Sequence, residues 1–380
     1  MSSSLQRFAR DVGLSFASIA ISSVVHLILR VFLARYVGPA DLGLYTLAFT
    51  FYSFGMLLSA FGIGWALVKY VAESKEDTSH MGRLLSVGAA FSLLIGCISC
   101  LALYLSAPWI AASFFQMPEL ATLLRIIAFA LPFIAVEKAT LGFLNGLRRM
   151  GLYTFINVSQ NVLTVILTLA LVLLGYGVNG AVLALVLPVA LLSTFSVFAV
   201  RRSIKKPSTV QYVPVAKTLL RFGTYVVLAS AIGMALYNTD RIMLGYFLDD
   251  VAVGIYSIAA TLVLVLHLPS QAIQLITNPT IASQWAQREI RRIEDFVNRT
   301  MKITGMLILP LSFALAFLAE DLITFIFGGE YASATVPLQI LLVGFVVGAL
   351  LTSVGTALSS TAYVHVGFII TSIQLAANVA

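Results

Sequence analysis

The stretch 30–51, RVFLARYVGPADLGLYTLAFTF, returns 211 positions later as 241–262, RIMLGYFLDDVAVGIYSIAATL. Six of the 22 aligned positions are identical: Arg30/Arg241, Leu33/Leu244, Gly43/Gly254, Tyr45/Tyr256, Ala48/Ala259 and Thr50/Thr261. Apolar letters match by chance in a greasy chain. An arginine, a turn and a Gly-x-Tyr falling into one register weigh more. Each copy begins near the end of one long uncharged run, crosses a short turn and enters the next, so both copies run in the same direction. The chain therefore reads as two parallel halves related by an axis along the membrane normal, one of the two repeat arrangements of transporters.

Those runs are the material of membrane spans. Of the 380 residues, 60% are hydrophobic and 10% charged, and the mean hydropathy is +0.99. A soluble domain is nearer a quarter charged, and many of the uncharged runs approach the ~20 residues that cross a bilayer's hydrocarbon core. The alternation of a transmembrane barrel is missing, so the expected class is an all-α, polytopic membrane protein. Expected spans are 13–36, 41–66, 84–107, 120–143, 152–175, 178–200, 221–247, 252–276, 303–327, 332–356 and an unfinished 364–380. Residues 1–200 form a six-helix lobe, 201–220 a cytoplasmic linker (RRSIKKPSTVQYVPVAK at 201–217), and 221–380 a second lobe holding helices seven to eleven. By the repeat, that lobe should end near residue 411, so the second bundle is expected to continue past Ala380.

Orientation follows from the basic residues. With a cytoplasmic N-terminus, 19 of the 23 Lys and Arg fall on inner loops or helix feet, while the outer loops carry acids such as Asp41, Glu119, Asp249, Asp250 and Glu330. This is a positive-inside pattern, and it explains the net charge of +7 through topology and anionic lipid rather than nucleic acid. No cleavable signal is expected, because the first apolar run is too long and further spans follow directly. Cys97 and Cys100 stand within the apolar LLIGCISCLALYL and read as small buried residues, and the four histidines show no metal-ligand spacing. No Gly-rich phosphate loop occurs; neither a cofactor nor a catalytic constellation is expected. The segment 284–302, QWAQREIRRIEDFVNRTMK, reads as an amphipathic helix lying in the cytoplasmic interface.

An ionisable group near a span's centre costs about 2.5–3.5 kcal/mol on insertion scales, so it faces a partner or a cavity. Arg30 and Arg241 stand about eighteen residues into helices 1 and 7, which brings them face to face if the halves are pseudo-symmetric. Asp240 adjoins Arg241, but neighbouring helix positions point apart, so it either holds the arginine or couples to a cation. His26, one turn before Arg30, is a candidate titrating group or a satisfied core histidine. Arg35, at the span boundary, can snorkel. Asn157, Gln160 and Asn161 on helix 5, with Gln271, Gln274 and Asn278 on helix 8, form polar stripes. These suit interhelical hydrogen bonding or a cavity lining that meets sugar hydroxyls. Glu137-Lys138 reads as a helix foot at the interface.

The segments LARYVGPADLGLYTLA after helix 1, LNGLRRMGLYTFINV between helices 4 and 5, and YNTDRIMLGYFLDDVAVGIYSIA across helices 7 and 8 resemble the Wzx-type oligosaccharide flippases. These are the polysaccharide biosynthesis branch of the multidrug/oligosaccharidyl-lipid/polysaccharide exporter superfamily. The resemblance implies two pseudo-symmetric six-helix bundles around a central cavity. It implies a cell-membrane protein that carries a polyprenyl-(pyro)phosphate-linked oligosaccharide from the cytoplasmic to the outer leaflet by alternating access, and not an enzyme. It also implies that cationic cavity residues engage the lipid's phosphates; by position these are Arg30 and Arg241. Expected partners are the lipid-linked substrate, membrane lipids, a coupling proton or sodium ion, and polysaccharide assembly proteins. Two other readings compete. A cation-coupled multidrug exporter of the same superfamily would favour acids in the first six spans, which hold basic and neutral polar groups instead. A polytopic glycosyltransferase would need paired carboxylates in a sizeable first outer loop, which here is only VGPAD.

Overall fold

A computed structural model of the chain describes residues 2–74, 77–201 and 212–359, with four isolated helical positions beyond (366, 369, 370 and 373). Side chains before residue 24, and several between 268 and 282 that include Gln271, Gln274 and Asn278, lie outside the described residues. The regular elements are helical throughout. In chain order they are α1 (Ser2–Ala60), α2 (Ile63–Glu73), α3 (Thr78–Trp109), α4 (Leu120–Ala128), α5 (Leu131–Gly146) and α6 (Met150–Leu171). There follow α7 (Gly177–Arg201), α8 (Tyr212–Phe247), α9 (Asp250–Ala286), α10 (Ile290–Phe317), α11 (Ala319–Phe327) and α12 (Thr335–Ser359).

Helix α1 is two spans, not one. Gly38, with φ 80° and ψ 175°, breaks it just before Pro39, and the contacts across the break show that the chain doubles back. Arg30 and Thr46 would stand about 24 Å apart along a straight helix of that length, yet Arg30 Nη1 donates to Thr46 Oγ1 at 2.8 Å. The second copy of the repeat makes the same return. Helix α8 stops at Phe247, the Asp249 side chain caps α9 by accepting from Ala252 N, and Tyr256 reaches Asp240, again sixteen residues away, at 2.5 Å.

Seven described stretches are long and apolar enough to cross a membrane, and α4 with α5 makes an eighth, bent by 43° ahead of Pro132. Two of the seven contain a return, at Gly38 and at Gly175–Gly177, where φ is 90° and 51°. Counting each limb gives the first ten expected spans; the eleventh, 364–380, lies largely outside the described residues. Exposed Leu174, Phe313, Phe317 and Phe325 suit lipid rather than water. The molecule is thus an all-α polytopic membrane protein.

The two copies of the repeat meet through their matched glycines. A Cβ on Gly43 would lie 1.8 Å from Asp250 O, and a Cβ on Gly254 would lie 2.0 Å from Pro39 O. Positions 39 and 250 are themselves matched at the offset of 211, so the contact is isologous, as at a two-fold interface. A core of Leu33, Leu42, Leu47, Leu124, Val253, Ile258, Phe327 and Leu338 runs through this end of the bundle and joins both halves. At the opposite end the halves touch again. Phe61 and Gly62, with φ 44° and 65°, separate α1 from α2, and a Cβ on Gly223 of α8 would lie 2.1 Å from Phe61 O.

Two expectations change. Residues 290–302 are not a separate interfacial helix but the opening turns of α10, which runs unbroken from Ile290 to Phe317. The break lies before them, at Arg288 with φ 58°, and a nucleated helix then propagates into the apolar run. The other is the start of α8, at Tyr212, inside the expected linker 201–220; residues 202–211 lie outside the described set.

Candidate functional site

Arg30 stands eight residues before the return at Gly38, and Arg241 six before the end of α8. At 1.5 Å per residue both lie roughly 9–12 Å below the turn. They are close enough for their charges to interact, and the charge of Arg30 also reaches His26, one turn earlier.

What holds each arginine is neutral. The guanidinium of Arg30 donates to Thr46 Oγ1 and lies 5.6 Å from the Tyr45 ring centroid. Thr46 gives its own hydroxyl proton to Leu42 O at 2.8 Å, leaving its lone pairs for the arginine. Arg241 Nη1 donates to Asn238 Oδ1 at 3.0 Å, and Arg241 Nε is buried with no partner. Asp240 points elsewhere and accepts from the Tyr256 hydroxyl. The salt bridges among the described residues are Arg83–Asp77 and Arg292–Glu289, so Asp240 and Arg241 form none, as adjacent helix positions require. Two arginines therefore stand within the span with no carboxylate on either.

The remaining candidates are less concentrated. Asn157 donates back to Tyr153 O of its own helix at 3.0 Å, the bond of a locally satisfied amide. Gln160 and Asn161 are partly exposed on the same helix, α6, which packs on α1. Arg35 does not snorkel. It donates to Ile326 O at 2.8 Å and to Phe325 O, capping the last turn of α11, while Tyr331 donates to Ala34 O beside it. Glu137 is not a helix foot either, being 1% exposed on α5.

Two apolar recesses flank the arginines. One of about 350 Å³ lies beside Asp240 and Tyr256, walled by Met243, Leu244, Phe247 and Leu248. The other, of about 360 Å³, runs between α1 and the α9–α11 region; Leu27 and Val31 line it on the Arg30 stretch of α1, facing Leu262, Leu315 and Ile326. Sequence reasoning found the arginines and Asp240 but not the residues that hold them: Tyr45 and Thr46 at Arg30, Asn238 at Arg241 and Tyr256 at Asp240. The fifteen-residue spacing from arginine to tyrosine, common to both copies (Arg30–Tyr45 and Arg241–Tyr256), was the signal that could have found the tyrosines.

The family described as "Polysaccharide biosynthesis protein" matches residues 32–336, which include the second copy of the repeat and the first from Phe32 onward. The chain belongs to that family. Among polysaccharide biosynthesis relatives, the chain is 24% identical over 309 residues to "Teichuronic acid biosynthesis protein TuaB" of Bacillus subtilis, covering 80% of this chain and 61% of that protein. It is 26% identical over 215 residues to the Haloferax volcanii protein named "Probable low-salt glycan biosynthesis flippase Agl15", covering 56% and 44%. The chain thus spans about three fifths of the first relative and less than half of the second. In fold it is similar to "Lipid II flippase MurJ, inward closed conformation", with a TM-score of 0.76 at 18% identity over 97% of this chain and 80% of that one.

Proposed function

We propose that this chain flips a polyprenyl-(pyro)phosphate-linked oligosaccharide from the cytoplasmic to the outer leaflet by alternating access. It acts as a transporter and performs no bond chemistry. The observation that carries this reading is the pair of span-interior arginines held only by neutral groups, one with a buried unpartnered N–H. A guanidinium without an ion-pair partner is costly in a membrane and suits an anion that enters and leaves. Its planar fork binds phosphate oxygens bidentately.

The lobes 1–200 and 221–380, joined across 201–220, are the moving parts. Arg30 and Arg241, one from each, engage the same phosphates, so the ligand bridges the lobes. His26 tunes Arg30, and Asp240 positions the α8–α9 hairpin that carries Arg241. Asn157, Gln160 and Asn161 line the sugar path. The apolar groove beside Leu27 and Val31 receives the carrier chain. The protein sits in the cell membrane with its N-terminus cytoplasmic, alongside polysaccharide assembly proteins. The names of the flippase relative and of the structural neighbour support this reading. The test is appearance of lipid-linked oligosaccharide in the far leaflet of proteoliposomes. Wild-type transport by the Arg30→Ala, Arg241→Ala double variant would refute it.

A further inference from the structure

Glu137 has no role in the site above. Its side chain is buried inside the N-terminal half, and Oε1 has neither solvent nor a hydrogen-bond partner. The ionised form of such a carboxyl is disfavoured, because nothing replaces the water removed from it. Adjacent Lys138 points away, as neighbouring helix positions do, and forms no salt bridge with it.

The surroundings of Glu137 are set by five helices packed against α5. From α1, Tyr52 is the titratable group that interacts with it. From α7, Ser196 meets Thr140, one turn beyond Glu137, at 2.7 Å. Helices α2, α3 and α6 bring Lys69, Tyr70, Glu73, His80, Arg83, Cys97, Cys100, Tyr104 and Tyr153 to the bundle, and Lys138 is the one charge among the described residues that acts on the carboxyl.

The seal over this site is mechanical. A Cβ on Gly64 of α2 would lie 2.5 Å from Lys138 O, and one on Gly142 would lie 2.2 Å from Gly64 O. The backbone of α2 is thus pressed against the turns of α5 beside Glu137. Two residues earlier, the Phe61–Gly62 break rests on Gly223 of the other half. Gly223 of the other half thus stands against the break that leads into the Gly64 contact. On the other side, Tyr52 stacks on Phe49 at 5.8 Å and Phe49 on Tyr45 at 6.2 Å, which leads to the ring beneath Arg30.

We propose that Glu137 is a proton-binding site that loads when the halves part at Phe61–Gly62–Gly223 and holds its proton while they are closed. This makes the proton the coupling ion and Glu137, not Asp240, its carrier. The coupling role rests on the flipping reading; the proton site does not. The step is reversible protonation: water supplies the proton to the carboxylate, and the acid returns it to water at the next opening.

The test has two arms on the full chain in proteoliposomes. The first is an infrared difference spectrum between acid and alkaline buffer, which reports protonated carboxyl groups. The wild type and Asp240→Asn should share a carboxylic-acid band that Glu137→Gln lacks; an unchanged band in Glu137→Gln overturns the proposal. The second is flipping of a polyprenyl-pyrophosphate-linked sugar with and without a pH gradient. The gradient should accelerate the wild type and Glu137→Asp several-fold and leave Glu137→Gln unaffected. An equal response in Glu137→Gln overturns the coupling role. A wild type that shows the band but flips nothing removes the flipping reading and leaves the proton site standing. Should Glu137→Gln fail to insert, Glu137→Asp carries the first arm, because a shorter acid must move the band; an unmoved band also overturns the assignment.

Discussion

Neither Arg30 nor Arg241 forms a salt bridge among the described residues, and the residue-scale expectations follow from that. On the proposed reading, each arginine's hydrogen bonds to phosphate would be of the charged kind, worth about 1.5–3 kcal/mol. Truncating either to alanine should therefore slow flipping by roughly tenfold to a hundredfold or more while insertion stays normal, measured as transport per inserted molecule. Arg241→Lys should restore only part of the loss, since an ammonium keeps the charge but not the fork. Asp240 behaves differently because its carboxylate is engaged by Tyr256. Asp240→Asn and Tyr256→Phe should each lower activity moderately and leave any gradient dependence in place; loss of that dependence in Asp240→Asn alone would move coupling back to α8. The arginines were legible because a charge within an uncharged run must have a cause. Their holders were not, because the contact between residue 30 and residue 46 depends on where Gly38 turns the chain. Glu137 was misread for a related reason: two adjacent charges look like a helix foot, yet α5 continues nine residues further, to Gly146.

Between elements, the closest approach joins the two copies of the repeat. Gly43→Val places a side chain where even a Cβ would meet Asp250 O at 1.8 Å. Overpacking of this kind costs on the order of 1–3 kcal/mol, so the melting temperature in detergent should fall. Gly344→Ala on α12 is the control, with nothing within 4 Å of the new methyl; it should be neutral or stabilise by up to about 1 kcal/mol. An equal loss in both variants would show that the seam is not special. At the start of α3, Asp77 accepts the His80 N–H at 2.8 Å, and this bond first of all holds its carboxyl below the usual range. A depressed folded-state value means that the cap helps at pH above the ordinary carboxylate range and is lost as pH falls through the folded value. Amide protection at residues 79–81, corrected for intrinsic exchange, should drop on acidification in the wild type and be low at every pH in Asp77→Ala. Spans were legible because length and hydropathy are local properties of the chain. The extent of α10 was not, since a helix stops where the backbone breaks, at Arg288, rather than where the polarity changes.

For the molecule as a whole, the charge pattern sets the expected orientation. Cysteines placed at 205 and 290 should escape a membrane-impermeant label added outside intact cells, and those at 178 and 250 should react; outside labelling of 205 would invert the topology and with it the direction of transport. The fold class and the repeat could be read from letters alone, whereas the seams where the halves touch could not, because each joins positions about 160 to 300 residues apart. One of these seams has a consequence in time. Arg35 and Ala34 are made early, and their partners Phe325, Ile326 and Tyr331 follow some 290 residues later. At ~5–20 residues per second, that is a delay of roughly 15 to 60 s on the ribosome. Through it the first hairpin waits in the bilayer without the carbonyls that Arg35 will cap, so this seam is fastened only after α11 has been made. A nascent chain stalled before α11 should leave Arg35 unlatched, and a cysteine at that position open to modification that the finished protein resists.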